Sequence, residues 1–355
     1  MSAGVATAGQ GRKAGVRAFL DKHHAKLWWL HSFYALGLGV LVMFFAQKGY
    51  DHSRWLFGGV VGLWLVLVAF YRAFGERPEP PAEGTAVRQK VGFFVMTYVM
   101  KNLYQGMLFF LLPFYFRSTT FGSPNQYFFF VLALAAVLAT LDIVFDRFLM
   151  KYRWASATYF FIALFAALNL ALPTLLPDLG PRPTLMLAMF LGTAGYVSLH
   201  LRSVTFGFRR LRNATILLSG AAVGLSLVVG PVIPPVPYYI LEGSGIGPSL
   251  VEPRRLSSVL TSIDASALGD LVALTAVLAP GASAEGFRHV WRKNGEEFTS
   301  MLAERGEHSD TPNTAYLRSQ LRRSELPTRA TGHWTVDVVA TDGRVVGRVG
   351  LDVLE

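Results

Sequence analysis

Apolar residues fall in seven blocks along the first two thirds of the chain, at 27–46, 55–74, 91–116, 127–145, 157–176, 184–201 and 215–233. Each block is close to the roughly 20 residues an α-helix needs to cross about 30 Å of hydrocarbon. Such a segment must be helical to satisfy its own backbone. Polar links separate the blocks, and the one at 75–90, GERPEPPAEGTAVRQK, cannot be a helix interior. The pattern predicts a seven-helix transmembrane domain over 27–233, behind a basic arm at 1–26.

Beyond the last block the period changes from helical to two. Pro231, Pro234, Pro235 and Pro237 end the helix pattern and predict a stiff tether over 234–255. Phe287, His289 and Trp291 then alternate with Arg288, Val290 and Arg292, and Asn294-Gly295 supplies the positive φ angles of a tight hairpin. Trp334, Val336 and Val338 alternate with Thr335 and Asp337; Asp342-Gly343 makes a second hairpin, and Val349, Leu351 and Val353 form its return strand. A further strand is predicted near 315–321. Two hairpins with one apolar face each need a partner layer, so 256–355 is predicted to be a small all-β antiparallel sandwich.

Charge adds an orientation. Residues 1–255 hold 23 Lys and Arg against 10 Asp and Glu, a net of +13, whereas 256–355 is net −3. Sixteen basic residues flank one side of the predicted spans, against Lys48, Arg54, Arg117 and Arg182 on the other. The positive-inside bias then puts the N-terminus in the cytoplasm and the C-terminal domain outside a bacterial inner membrane. Basicity confined to the helical half argues against a nucleic-acid partner. Membrane lipid is the expected partner of the basic arm, where His23 and His24 lie beside Trp28 and Trp29. With no cysteine in 355 residues, disulfides and thiolate metal sites are excluded.

The segments HVWRKNG (289–295), AYLRSQ (315–320) and GHWTVDVVATDGRVVGRVGLDV (332–353) resemble an uncharacterised bacterial β-domain of unknown function. That domain often follows a multi-span membrane region, and KNLYQGMLFFLLPFYF (101–116) and IPPVP (233–237) are similar to it. The usual pattern has Gly-Tyr-Arg where this chain has Ala315-Tyr316-Leu317-Arg318. The resemblance implies architecture and no activity.

Two groups of residues are candidates for chemistry. Lys101 sits mid-block with Asn102 and Gln105, and an ionised lysine at mid-membrane needs a partner. Asp142, with Asp146 one turn on, lies at equal depth if the third and fourth blocks are continuous antiparallel helices. The cluster is either a pathway for ions, protons or polar solutes, or a structural pair fixing helix register. In the β-domain, His289, Trp291, Arg318 and Trp334 are candidate binding residues, an aromatic platform for a sugar ring or peptide, while a histidine between aromatics is equally the mark of a core position. Histidines 289 and 333 lack a third ligand, so no metal site is predicted. No cofactor or catalytic motif is found, and a non-enzymatic role is expected. The function expected from this sequence is an integral membrane protein presenting a β-sandwich to an envelope protein or glycan, with a transporter or channel built on Lys101 and Asp142 as the alternative.

Overall fold

The computed structural model describes residue 37 and residues 53–74, 87–141, 144–149, 151–200, 208–279, 286–305 and 313–355. Among the described residues six α-helices come first: α1 (Ser53–Phe74), α2 (Val87–Arg117), α3 (Gln126–Thr140), α4 (Arg153–Leu175), α5 (Pro181–His200) and α6 (Phe208–Val229). In α1, Leu63, Leu67 and Phe70 recur at helical spacing on one buried stripe. α4 is apolar all round, and Phe160, Ala163, Leu164, Ala167 and Leu170 are all buried because α1, α2, α3 and α5 surround it. Gly195 lets α5 lie close to α4, since a Cβ there would fall 2.4 Å from Leu164 Cδ2.

The expected bundle of seven spans is not what forms. Among the described residues two helices, Arg153–Leu175 and Thr215–Val232, are long and apolar enough to cross a membrane, and the first is the mostly buried centre of the helical unit. The block at 127–145 breaks at Thr140, leaving a 15-residue helix and a separate π-helical turn at Phe145–Leu149. The block at 91–116 belongs to a 31-residue helix that carries Arg88, Lys90, Lys101 and Arg117. The block at 27–46 lies outside the described residues apart from Gly37. A run of apolar residues is equally the signature of a helix wrapped by other helices, which is how α4 satisfies it. The integral multi-span reading, its inner-membrane topology, its lipid partner and the transporter alternative are therefore overturned.

The β region also differs from the expected antiparallel sandwich. Among the described residues its twelve strands make three open sheets. The first is ordered β1 (Tyr239–Ile240), β6 (Leu271–Leu278), β10 (Thr314–Leu321), β9 (Glu304–Arg305), with β2 (Gly245–Gly247) also on β6. The second is ordered β5 (Ser262–Asp264), β12 (Val345–Leu354), β11 (Gly332–Val339), β7 (Arg288–Lys293), β8 (Glu296–Leu302), and its β5–β12 pair is parallel. β3 (Leu250–Glu252) and β4 (Arg255–Leu256) form a separate ribbon. The stretch read as a tether thus supplies four strands. Both expected hairpins are present, with φ of 51° at Asn294, 88° at Gly295 and 86° at Gly343. The two five-stranded sheets share a core in which Leu271 and Leu321 of one meet Trp291, Trp334, Val336 and Leu351 of the other.

A buried polar seam joins the helical and sheet units. Arg344, at the second hairpin, is buried; its Nε donates to Asp342 at 2.6 Å, Nη2 to the Pro181 carbonyl at 3.0 Å and Nη1 to the Pro234 carbonyl at 3.4 Å. Asn169 Nδ2 reaches the same Pro234 carbonyl at 3.3 Å and the Tyr115 hydroxyl at 3.1 Å. Burial holds the Tyr115 phenol well above its ordinary range, and pushes Tyr238, which also lies in Arg344's field, up to about 12. Asn125, between α2 and α3, donates to the Val345 carbonyl at 3.0 Å.

Candidate functional site

Of the helical candidates, the structure describes Lys101, Asn102, Gln105 and the backbone position of Asp146. Lys101 is 5% exposed and Gln105 is buried one turn away, but Asn102 is exposed and donates to the Tyr98 carbonyl of its own helix at 2.8 Å. Asp142 lies outside the described residues, and Asp146 falls on the π-helical turn rather than on α3. The equal-depth argument required one continuous helix to Asp142, and α3 stops before it. Three residues beyond Lys101, the Tyr104 ring stands edge-on to Phe145 at 6.1 Å and to Tyr159 at 4.9 Å.

The β-domain candidates divide in three. His289 and Trp291 point inward from β7 and meet at Ser319 on β10. Trp291 Nε1 donates to Ser319 Oγ at 3.1 Å, His289 Nδ1 lies 2.8 Å from the same oxygen, and His289 Nε2 lies 2.9 Å from Thr275 Oγ1 on β6. All four residues are buried. One ring nitrogen carries the proton and the other accepts, so the two hydroxyls satisfy a neutral imidazole. Burial lowers the His289 pKa to about 4, which keeps it neutral. Trp334 is apart from this group: it is fully buried, donates to the Ala330 carbonyl at 2.7 Å and packs edge-on against Phe298. Neither tryptophan offers a ring face at the surface, so the aromatic platform does not form.

Arg318 faces the other way, into the open. It neighbours Ser319 on β10 but lies on the outer side of that strand, where its Nε and Nη2 both lie 2.8 Å from Glu304 Oε2. This pair stands at the edge of a cavity of about 900 Å³. Its polar lining includes Asp270, Glu304, Arg318, Gln320, Arg322 and Glu325. Pro248, Leu250, Val272, Met301 and Leu302 supply the apolar part, and Ser319 joins the groove to the buried histidine. The carboxylates are held in place. Asp270 accepts from the Arg323 amide at 2.8 Å and from Gln320 Nε2 at 3.1 Å, and Glu325 accepts from the Arg322 amide at 2.8 Å.

Sequence reasoning missed two further arrangements. Asp337 is 1% exposed, with Arg348 bound to both its oxygens and Arg292 Nε donating at 3.0 Å. The signal was present: Asp337 sits directly across from Arg348 in the hairpin register. Arg344 gave no such signal, because its partners Pro181 and Pro234 are far away in sequence. Among the described residues no group of three or more His, Cys, Asp or Glu side chains could hold a metal ion.

Fold and groove together define an α-helical unit fused through a buried seam to an open β-sheet unit with a polar, ligand-sized cleft. The chain belongs to DUF5924, a family of unknown function, whose family model matches residues 14–271. That match takes in the helices and the strands up to the start of β6. Of the segments that carried the resemblance to a β-domain behind a multi-span region, 101–116 and 233–237 lie inside the match and the hairpin motifs at 289–353 outside it, and the helices do not make the multi-span bundle it implied. No curated protein and no solved structure matches the chain.

Proposed function

We propose that this protein acts by binding rather than by catalysis, and that its ligand lies in the groove beside Arg318 and Glu304. One observation carries the reading. The groove is the size of a small-molecule or short-peptide site, and its mostly polar and charged lining is interspersed with the apolar Pro248, Leu250, Val272, Met301 and Leu302. Its charged groups are held by hydrogen bonds, which lowers the ordering cost of binding. The histidine nearest the groove, His289, is buried behind Ser319 with both nitrogens engaged, an arrangement suited to holding two sheets together. The helical unit serves as a rigid platform fixed to the sheets through Arg344.

The test is a thermal-shift screen of the full chain against mixtures of amino acids, peptides, oligosaccharides and nucleotides, with mass analysis of the recovered compounds. The reading expects one class to raise the melting temperature and to be recovered unchanged. A class converted to product, or no stabilisation by any class, would overturn it.

A further inference from the structure

The groove follows a stretch of β-strand edge that no strand among the described residues covers. β6 pairs β10 along its full length, from Thr314 opposite Leu278 to Leu321 opposite Leu271. On the other side, among the described residues, β9 pairs only Leu317 and Arg318. The cause is the path of the chain. β8 runs along the edge of the second sheet, and Ala303, just beyond it, still donates to the Phe287 carbonyl at 3.0 Å. One residue later the chain has crossed to the first sheet as β9. The two edges therefore touch at Glu304 and Arg318 and splay apart beyond them. Met301 and Leu302 form one lip of the slot, and Ser319 and Gln320 the other.

An open strand edge presents a row of backbone donors and acceptors, and proteins normally guard such edges with free charge, proline, bulges or a covering element. The edge of β10 has weak guards. Thr314–Leu321 contains no proline and pairs with β6 without a bulge. Its charge, Arg318, is tied to Glu304, and Gln320 is tied to Asp270. An extended segment laid in the slot would turn alternate side chains toward the apolar Leu250 and Val272 on the outer side of the sheet. Carboxylates Asp270, Glu304 and Glu325 outnumber Arg318 and Arg322 in the lining, which favours a neutral or basic segment.

We infer that the ligand is an extended polypeptide segment that joins the first sheet as an added strand along Ser319–Leu321. This rests on the groove being the ligand site. Main-chain hydrogen bonds then give affinity, and the pockets for alternate side chains give selectivity.

The experiment selects acetylated, amidated random octapeptides on the full chain and then methylates the backbone nitrogens of the best binder one at a time. Strand addition expects a period of two: methylation at alternate residues weakens binding by about threefold to tenfold or more, the worth of one hydrogen bond, and at the intervening residues has little effect. Uniform loss, or none, at all positions would overturn the inference. So would failure of every peptide while another compound class stabilises the protein, a result that would leave the groove reading standing. If nothing binds, both fall.

Discussion

Arg344 and Asp342, two residues apart in a hairpin, form a buried ion pair at 2.6 Å whose arginine also closes the junction with the helical unit through the Pro181 and Pro234 carbonyls. The pair does two jobs. It fixes the turn, and it adds a charged donor to two carbonyls, one at a helix start that also accepts from Thr184 and one in the connector that also accepts from Asn169.

Removing that arginine should be costly. Arg344→Met leaves the Asp342 carboxylate buried without its cation, a loss of about 3–5 kcal/mol by the usual behaviour of broken buried pairs. Urea denaturation of the variant should show it, and Arg344→Met/Asp342→Ala should lose less than the single change. A single variant within about 1 kcal/mol of wild type would show the seam to be incidental.

Asp337 should behave as the more demanding partner of its cluster. It is buried beneath two arginines, and Arg348, whose pKa it raises, binds it through both oxygens. Asp337→Asn strands two cations on the sheet face, whereas Arg292→Ala leaves the Arg348 fork in place. The account expects the first to lower the denaturation midpoint clearly more than the second. Equal effects would mean that the arginines contribute packing rather than charge pairing.

Stability should fall with acid through His289. Its folded pKa is about 4 against an ordinary 6.5, so the unfolded chain takes up its proton first. The contribution is present above about pH 6.5, declines as pH drops through that window, and is fully lost by about pH 4; its full size is on the order of 3 kcal/mol. Stability of wild type and His289→Gln measured from pH 7.5 to pH 4 should show a shallower decline in the variant. Parallel curves would assign the acid sensitivity elsewhere.

Arg318 offers a contrast, because its pair with Glu304 is exposed and such pairs contribute between about 0 and 1 kcal/mol. Arg318→Ala should leave the melting temperature nearly unchanged while weakening whatever ligand the thermal-shift screen identifies. Loss of stability without loss of binding would make Arg318 structural and remove it from the site.

The sequence disclosed the parts governed by local rules. Asn294-Gly295 and Asp342-Gly343 between alternating strands announced both hairpins, because positive φ is cheap at few residues. The same alternation placed His289 and Trp291 on one buried face. The helical half misled because an all-round apolar helix reads alike whether lipid or neighbouring helices cover it. In α4, its neighbours and the close approach at Gly195 decide the matter, and neither is visible in hydropathy. The groove was hidden for a different reason. Asp270, Glu304, Arg318 and Glu325 are polar residues spread over three segments of sequence, and only the sheet switch after Leu302 brings them together.

The central claim is that ligand binds beside β10, and the absence of native cysteine makes it directly measurable. A single thiol is introduced either by Gln320→Cys in the groove or by Asp352→Cys on β12, and iodoacetamide alkylation is timed with and without the ligand found by screening. The account predicts that ligand slows alkylation in the Gln320→Cys protein and leaves the Asp352→Cys protein unchanged. Unaltered reaction in the groove variant, or protection confined to the β12 variant, would contradict it.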